Sequence, residues 1–449
     1  MGRLFGTDGI RGIANREPIT PEMGLKMGHA VALHFRGKSV RPKIVIGRDT
    51  RFSGKMLEYA LVSGLLSMGA EAILLGEHPT PGVAFITKRV GADAGIMISA
   101  SHNPYQYNGF KFFSSEGYKL TDEEEKEIET RILEDIDYSP FQENLDLGEV
   151  QHMDKADELY LAFLKGTLPG KQSLKNMKVV LDCANGATSR IAPILFEGMG
   201  VETDALFIHP DGTNINEKCG SQHPEPLSRR VREKGADVGL AFDGDGDRVI
   251  AVDDKGCVLN GDQILIICAK LLKDRDELTN NQVVSTVMSN MGFRIALRDF
   301  GIEHISTNVG DRYVMEEMRA KGAILGGEES GHIIFSRHHT TGDGLLSALQ
   351  LLWAVKTFDQ PLSQLSKLMS IFPQSVMNVA VKQKPQISSI PAVVEILQKV
   401  ELRLGEKGRV LVRYSGTEPV CRIMIEGESK KEIDRYAQQI ADVVGRCLG

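Results

Sequence analysis

The chain is of the α/β class, a series of related α/β units with mixed or parallel sheets followed by a smaller α+β domain. Three observations predict this. Short β-branched runs, "KIVIGRDTR", "KVVLDCANGA", "VGLAFDGDGDR" and "QVVSTVMSN", each end in a polar or glycine-rich loop and lead into a helix-length amphipathic segment. Apolar strands alternating with helices indicate parallel sheets covered on both faces. After "FPQSVMNV" the order changes to strand, helix, paired strands and final helix, with "GRVLVRYS" and "CRIMIEGE" as the pair, which is an α+β arrangement. Finally, 449 residues exceed the roughly 250 to 300 that one hydrophobic core supports.

The first unit runs from the N-terminus through "LTDEEEKEIETRILEDI", where Leu120 and Thr121 precede a helix and Glu124 completes a capping box. Its carboxylates are expected to form a solvated face. The turn-rich "DYSPFQENLDLGEV" reads as a linker. A second unit starts near "NMKVVLDCANG" and closes around an aspartate-rich loop, and a third carries "VVSTVMSN", "TNVGDRYV" and "GGEESGH". The expected boundaries are 1–155, 156–256, 257–368 and 369–449.

Composition narrows the function. The chain is 42% apolar and 25% charged with 46 glycines, as in a soluble, turn-rich enzyme. Six widely spaced cysteines (Cys183, Cys219, Cys257, Cys268, Cys421, Cys447) form no C-x-x-C pair, which argues against a disulfide scaffold and for a reducing cytoplasm. "MGRLFGTDGIRG" lacks an apolar signal core, and no segment approaches the length of a membrane span. A net charge of -7 without a basic, aromatic-studded cluster argues against a nucleic-acid protein. A small phosphorylated ligand, caught by local cations and backbone groups, fits better.

Ligands of α/β sheets meet the chain at the carboxyl ends of strands. "GIMISASHNPYQYNGFKFF" puts Ser101 at such an end, then turns through Asn103-Pro104 and Asn108-Gly109 and returns with Lys111. No G-x-S-x-G elbow is present, so an esterase reading is weak. Lys111 could anchor a phosphate, or act as general acid/base if burial or nearby cations depress its pKa. In "FDGDGDR" glycines let Asp243, Asp245 and Asp247 converge on one hard cation, an all-oxygen set that suits Mg²⁺. An EF-hand is the weaker alternative, because its sixth and twelfth places hold Arg248 and Asp254 instead of Gly and Glu. "RYSGTEP" gathers Arg413, Ser415, Gly416 and Thr417, the groups a phosphate dianion needs, without Walker A spacing. "GGEESGH" offers Glu328, Glu329, Ser330 and His332 to sugar hydroxyls or an amine. "GTDGIRG" adds Arg11, and "TNVGDRYV" adds Asp311 and Arg312.

Together "TDGIRG", "SASHNP" with "NGFK", "DGDGDR", "GEESGH" and "RYSGTEP" resemble the α-D-phosphohexomutase superfamily in order and spacing over essentially the whole chain. "FGTDGIRG", "TNVGDRYVMEEM" and "RYSGTEPVCRIMIEG" are most similar to its bacterial amino-sugar members, although Glu329 stands where many of those carry glutamine. The resemblance implies four domains around a central cleft and a phosphoserine at Ser101. It implies one Mg²⁺ on Asp243, Asp245, Asp247 and a Ser101 phosphoryl oxygen, proton transfer by Lys111, and Arg11, His102 and Arg248 beside the reacting phosphate. Glu328, Ser330 and His332 would hold the sugar, and Arg413, Ser415, Gly416 and Thr417 the phosphate that is not transferred. The implied partners are a phosphosugar substrate and a hexosamine 1,6-bisphosphate intermediate that also activates, with no nucleic acid and no membrane. A homodimer is compatible with the likeness.

Overall fold

The computed structural model describes residues 4–6, 8–37, 39–134, 136, 138, 146–169, 174–415 and 419–449. The chain forms two compact units, one of residues 1–288 and 302–368, the other of 289–301 and 369–449.

The larger unit carries three sheets. The first has strands β1 (Ile10–Ile13), β2 (Lys43–Arg48), β3 (Glu71–Glu77), β4 (Ala94–Ile98), β5 (Tyr107–Ser114) and β6 (Val150–His152), ordered β1-β5-β4-β2-β3-β6. β4, β2, β3 and β6 are parallel, while β5 runs antiparallel to both β4 and β1. The second sheet, β11-β10-β9-β7-β8, contains β7 (Lys178–Asp182), β8 (Glu202–Leu206), β9 (Val238–Phe242), β10 (Val249–Asp253) and β11 (Val258–Leu259). The third, β13-β12-β14-β15, contains β12 (Gln282–Thr286), β13 (Glu303–Thr307), β14 (Leu325–Gly327) and β15 (Ile333–Phe335). Each sheet thus has an antiparallel strand beside its parallel core, β5, β10 and β15, and each of these three begins where a polar loop turns back: after Ser101, after Asp247 and after Ser330.

The smaller unit has β16 (Gln374–Ala380), β17 (Gly408–Tyr414) and β18 (Val420–Gly427), all antiparallel in the order β16-β18-β17, with helices Pro391–Leu404 and Lys430–Leu448. Val393, Val400, Ile423, Ile425, Ile433 and Ile440 are among the residues of its own core. This is the strand, helix, paired-strand, helix order expected from the sequence.

Two expectations need correction. The segment read as a linker ends in structure: Gly148 N–H donates to Leu66 O at 2.9 Å, and β6 completes the edge of the first sheet against β3. Residues 137 and 139–145 of that segment lie outside the described residues. The helix Asp122–Leu133 does have the Thr121/Glu124 capping box, but its acids are not all solvated. Glu129 accepts the Leu4 and Phe5 N–H groups, and Glu125 is buried against Arg312. An acidic run hides such residues because periodicity alone does not show which positions meet another segment.

Candidate active site

β4 leaves the sheet at Ile98, and the chain reaches Ser101 in a left-handed conformation, φ 54°. That geometry costs a non-glycine residue about 1–2 kcal/mol, and here it aims a fully buried hydroxyl at Asp243: Oγ donates to Oδ2 at 2.6 Å. The chain then returns along β5, where Lys111 pairs in register with Met97. Side chains alternate along a strand, so Phe110 and Phe112 enter the apolar core while Lys111 points to the other face. There Nζ donates to Asp245 Oδ2 at 2.7 Å and Asp247 Oδ2 at 2.9 Å, with Asp8 Oδ2 at 3.4 Å. Burial alone would lower the Lys111 pKa, but the carboxylates of Asp245, Asp247 and Asp8 raise it well above the usual lysine value. The condition for a basic amine is therefore not met: its neighbours are anions, and the amine is a held cation.

The aspartate loop joins β9 to β10, strand to strand, which removes the EF-hand alternative. Gly244 and Gly246 make the tight path. Gly246 has φ 71°, and a Cβ on Gly244 would stand 2.6 Å from Ser101 O. All three aspartates are buried, and one carboxylate oxygen from each lies within 4.8 Å of the others. Burial and repulsion from Asp247 and Asp245 push Asp243 well above the usual carboxylate range. Asp247 goes the other way: burial opposes it, but Lys111, His332 and Arg248 hold it ionised. Asp245 Oδ1 and Asp247 Oδ1 are buried without a hydrogen-bond partner. Orphaned hard oxygens beside a carboxylate that cannot ionise easily are what a small divalent cation would satisfy, so the residues fit Mg²⁺.

The other candidate side chains of the larger unit converge on the same place. Arg11 projects from β1, opposite Gly109 of β5, and is ion-paired to Asp8. Arg248 Nε is 3.8 Å from Asp247 Oδ1. Burial, aided by Arg248 and Arg11, takes His102 down to about 4, so its ring is neutral; Nδ1 lies 3.4 Å from Ser101 Oγ. The loop between β14 and β15 is tied to the aspartate loop's exit strand, since Val249 N–H donates to Gly331 O at 3.1 Å. In that loop Glu328 Oε1 accepts the Gly310 N–H at 3.1 Å, and Ser330 Oγ is buried without a hydrogen-bond partner. His332, 2% exposed, lies between Asp247 and Asp311 and accepts the Gly342 N–H at Nε2. It faces the aspartates and not solvent.

Sequence reasoning missed Asp8, Lys119 and Arg51. Lys119 Nζ bridges Asp311 Oδ2, at 2.5 Å, and Asp8, so a chain of alternating charge links Asp311, Lys119, Asp8 and Lys111. Asp8 could have been found as the acid three residues before Arg11; Lys119 stands just after a turn, bridged to Phe113, in a stretch that carries no chemical signal. Arg51 closes the strand-end run "GRDTR", but its partners are revealed only by the fold.

In the smaller unit, Arg413, next to last in β17, lies directly opposite Arg422 of β18. Arg422 is a cation the sequence reading passed over. Ser415 N–H donates to Val420 O, and Lys384 Nζ donates to Ser415 O at 2.6 Å. Gly416 and Thr417 lie outside the described residues.

Family models of phosphoglucomutase/phosphomannomutase match the chain throughout: alpha/beta/alpha domain I over residues 2–139, domain II over 158–256, domain III over 260–372 and the C-terminal domain over 376–443. The chain belongs to this family. Among its curated relatives, the phosphoglucosamine mutase of Syntrophus aciditrophicus is 55% identical and that of Geobacillus kaustophilus 51% identical, each over 100% of both chains. Solved phosphohexomutases share the fold. A phosphoglucomutase/phosphomannomutase family protein of Burkholderia thailandensis superposes with a TM-score of 0.79 at 24% identity, covering 98% of this chain and 97% of the other. The N-acetylphosphoglucosamine mutase of Aspergillus fumigatus, solved with GlcNAc-6P and magnesium, gives 0.66 at 16% identity, over 100% and 96%.

Proposed function

We propose that this member of the family is an isomerase that interconverts glucosamine 6-phosphate and glucosamine 1-phosphate through phospho-Ser101 and a glucosamine 1,6-bisphosphate. One observation carries the reading: the Ser101 hydroxyl, in a strained turn, donates at 2.6 Å to one of three convergent buried aspartates whose other members hold Lys111. The full-length likeness to phosphoglucosamine mutases supports the choice of sugar.

In the first half-reaction the bond from phosphorus to Ser101 Oγ breaks and one to a sugar hydroxyl oxygen forms, and the hydroxyl proton takes the place of the phosphoryl group on Ser101 Oγ. The second half runs in reverse with the other end of the bisphosphate. Lys111, a held cation, balances charge on the transferring group and relays the proton, giving one to the departing oxygen and recovering one from the attacking hydroxyl. Arg11 and Arg248 add positive charge, and neutral His102 offers a hydrogen bond to a phosphoryl oxygen. Asp243, Asp245 and Asp247 would hold Mg²⁺, which when bound neutralises phosphoryl charge. We assign sugar hydroxyls to Glu328 and Ser330, with His332 behind them, and the non-transferred phosphate to Arg413, Ser415, Gly416 and Thr417. Binding energy from that remote phosphate positions the reacting oxygen. Among the described residues no helix is long and apolar enough to cross a membrane, and a phosphorylated substrate fits a cytoplasmic site.

Phosphorus NMR with Mg²⁺, a trace of hexose 1,6-bisphosphate and glucosamine, glucose and mannose 6-phosphates in parallel tests the reading. Glucosamine 1-phosphate should form fastest, and Ser101→Ala should abolish turnover. Preference for glucose or mannose would overturn the sugar, and full activity of Ser101→Ala would overturn the mechanism.

A further inference from the structure

The loop that carries Ser101 turns four of its carbonyl oxygens onto a single guanidinium. Arg51, 1% exposed, donates through Nη2 to Ser101 O and Asn103 O, both at 2.8 Å, and through Nη1 to Tyr107 O at 3.0 Å and to Pro104 O. Its Nε is held by Asp49 Oδ2 at 2.8 Å, an oxygen that also accepts the Ser99 hydroxyl. Ser99 Oγ in turn accepts the Ser101 N–H at 2.9 Å. Every N–H of the fork is used, which a lysine cannot reproduce.

A second donor reaches the same carbonyls from the neighbouring domain. Asn216 Nδ2 donates to Ser101 O at 2.9 Å and to Asn103 O at 3.0 Å, and two carbonyl acceptors leave no ambiguity about which way the amide points. Asn216 is itself left-handed, φ 59°, and its N–H is fixed on Ala184 O. A Cβ on Gly244 would stand 2.8 Å from the Asn216 amide nitrogen and 2.6 Å from Ser101 O, so the aspartate loop packs directly on the clamped carbonyl. Ser101 O is thus gripped from two domains at the point where φ is strained.

We propose that Arg51 and Asn216 are positioning residues for the phosphoryl carrier. They hold Ser101 in its left-handed turn so that Oγ stays on the metal loop, and through Asn216 the grip depends on the second domain being seated on the first. The proposal rests on the mutase reading, with Ser101 as the carrier.

Asn216→Asp keeps the size of the side chain but replaces its donors with an acceptor; Asn216→Gly keeps the positive φ and removes the amide; Arg51→Lys keeps the charge and loses the fork. Leu227→Ala, in the buried core of the same domain as Asn216, controls for lost stability. Steady-state constants for glucosamine 6-phosphate at saturating Mg²⁺ and bisphosphate, single-turnover transfer from the phosphoenzyme, and thermal midpoints are measured for each. The expected result is a kcat lowered about 10- to 100-fold in both Asn216 variants and in Arg51→Lys, with KM nearly unchanged, since small misplacements of a reacting group cost that much. Leu227→Ala should lower the midpoint without the kcat loss. Asn216 variants that fold and keep wild-type kcat overturn the proposal, as does a kcat loss matched by Leu227→Ala. Should Arg51→Lys fail to fold, the Asn216 pair decides. A wild-type enzyme with no turnover and no label on Ser101 would instead remove the mutase reading beneath it.

Discussion

Asp243 is where the charge of the site is out of balance. It sits in a fully buried cluster with Asp245 and Asp247, and burial with their repulsion drives its pKa well above the normal range. A divalent cation reverses both effects, so Mg²⁺ should bind the folded chain and stabilise it. At a concentration about 100 times its dissociation constant the gain is roughly 2.7 kcal/mol. Since Asp243 must lose its proton to become a ligand, the apparent metal affinity should weaken as pH falls. Differential scanning fluorimetry with and without millimolar Mg²⁺ checks this: the midpoint should rise in wild type and not in Asp245→Asn. An equal rise in the variant would detach the metal from these residues. The cluster was legible because aspartates alternating with glycine after an apolar strand crowd carboxylates that repel one another until a cation joins them. Lys119 was not, because its carboxylate partners Asp8 and Asp311 are 111 and 192 residues away in the chain.

The helix Gly344–Phe358 is buried on nearly every side, from Leu345 through Val355, so it lacks the amphipathic stripe by which helices are recognised. Its N-terminus meets the metal loop: Gly344 N–H donates to Gly246 O at 3.0 Å. The cap is Asp343, which accepts the Leu346 N–H and the Tyr160 hydroxyl. Burial pushes Asp343 from 3.8 up to about 7. An acid whose folded pKa exceeds its unfolded value binds its proton more tightly when folded. Its contribution to stability is therefore present at low pH and lost as pH rises from the unfolded value to the folded one. Asp343→Asn keeps a good cap and removes that loss. In urea denaturation the variant should gain on wild type as pH rises from 5 to 8, by an amount on the order of a few kcal/mol. A difference that stays flat across that range would show that Asp343 ionises normally in the fold.

Across the larger unit the three sheets are joined in part by polar contacts between loops, which no strand pattern announces, so the strands were legible and these joints were not. Hydrophobic periodicity reports each domain's own core, whereas the joints use single residues: Thr50 Oγ1 on Asn185 O, Thr340 Oγ1 on Gly117 O, His339 on Pro81 O. One joint between the first and third sheets is electrostatic. Arg312, near the start of helix Asp311–Lys321, pairs with Asp122 and Glu125 of helix Asp122–Leu133. Asp122 is 78% exposed on its side chain and Glu125 only 8%, so the two pairs differ in kind. The exposed one contributes little. Removing Arg312 would leave Glu125 buried without its cation, a loss of about 3–5 kcal/mol for a broken buried pair. Burial already raises the Glu125 pKa against the pull of Arg312. Arg312→Met should therefore lower the unfolding midpoint by several degrees, while Arg312→Met with Glu125→Gln should recover most of it, because the stranded charge is gone. The cycle is closed by Glu125→Gln alone, and its coupling energy should exceed about 1 kcal/mol. Purely additive effects would mean that the two helices are held by their apolar contacts and that the ion pair is incidental to the joint.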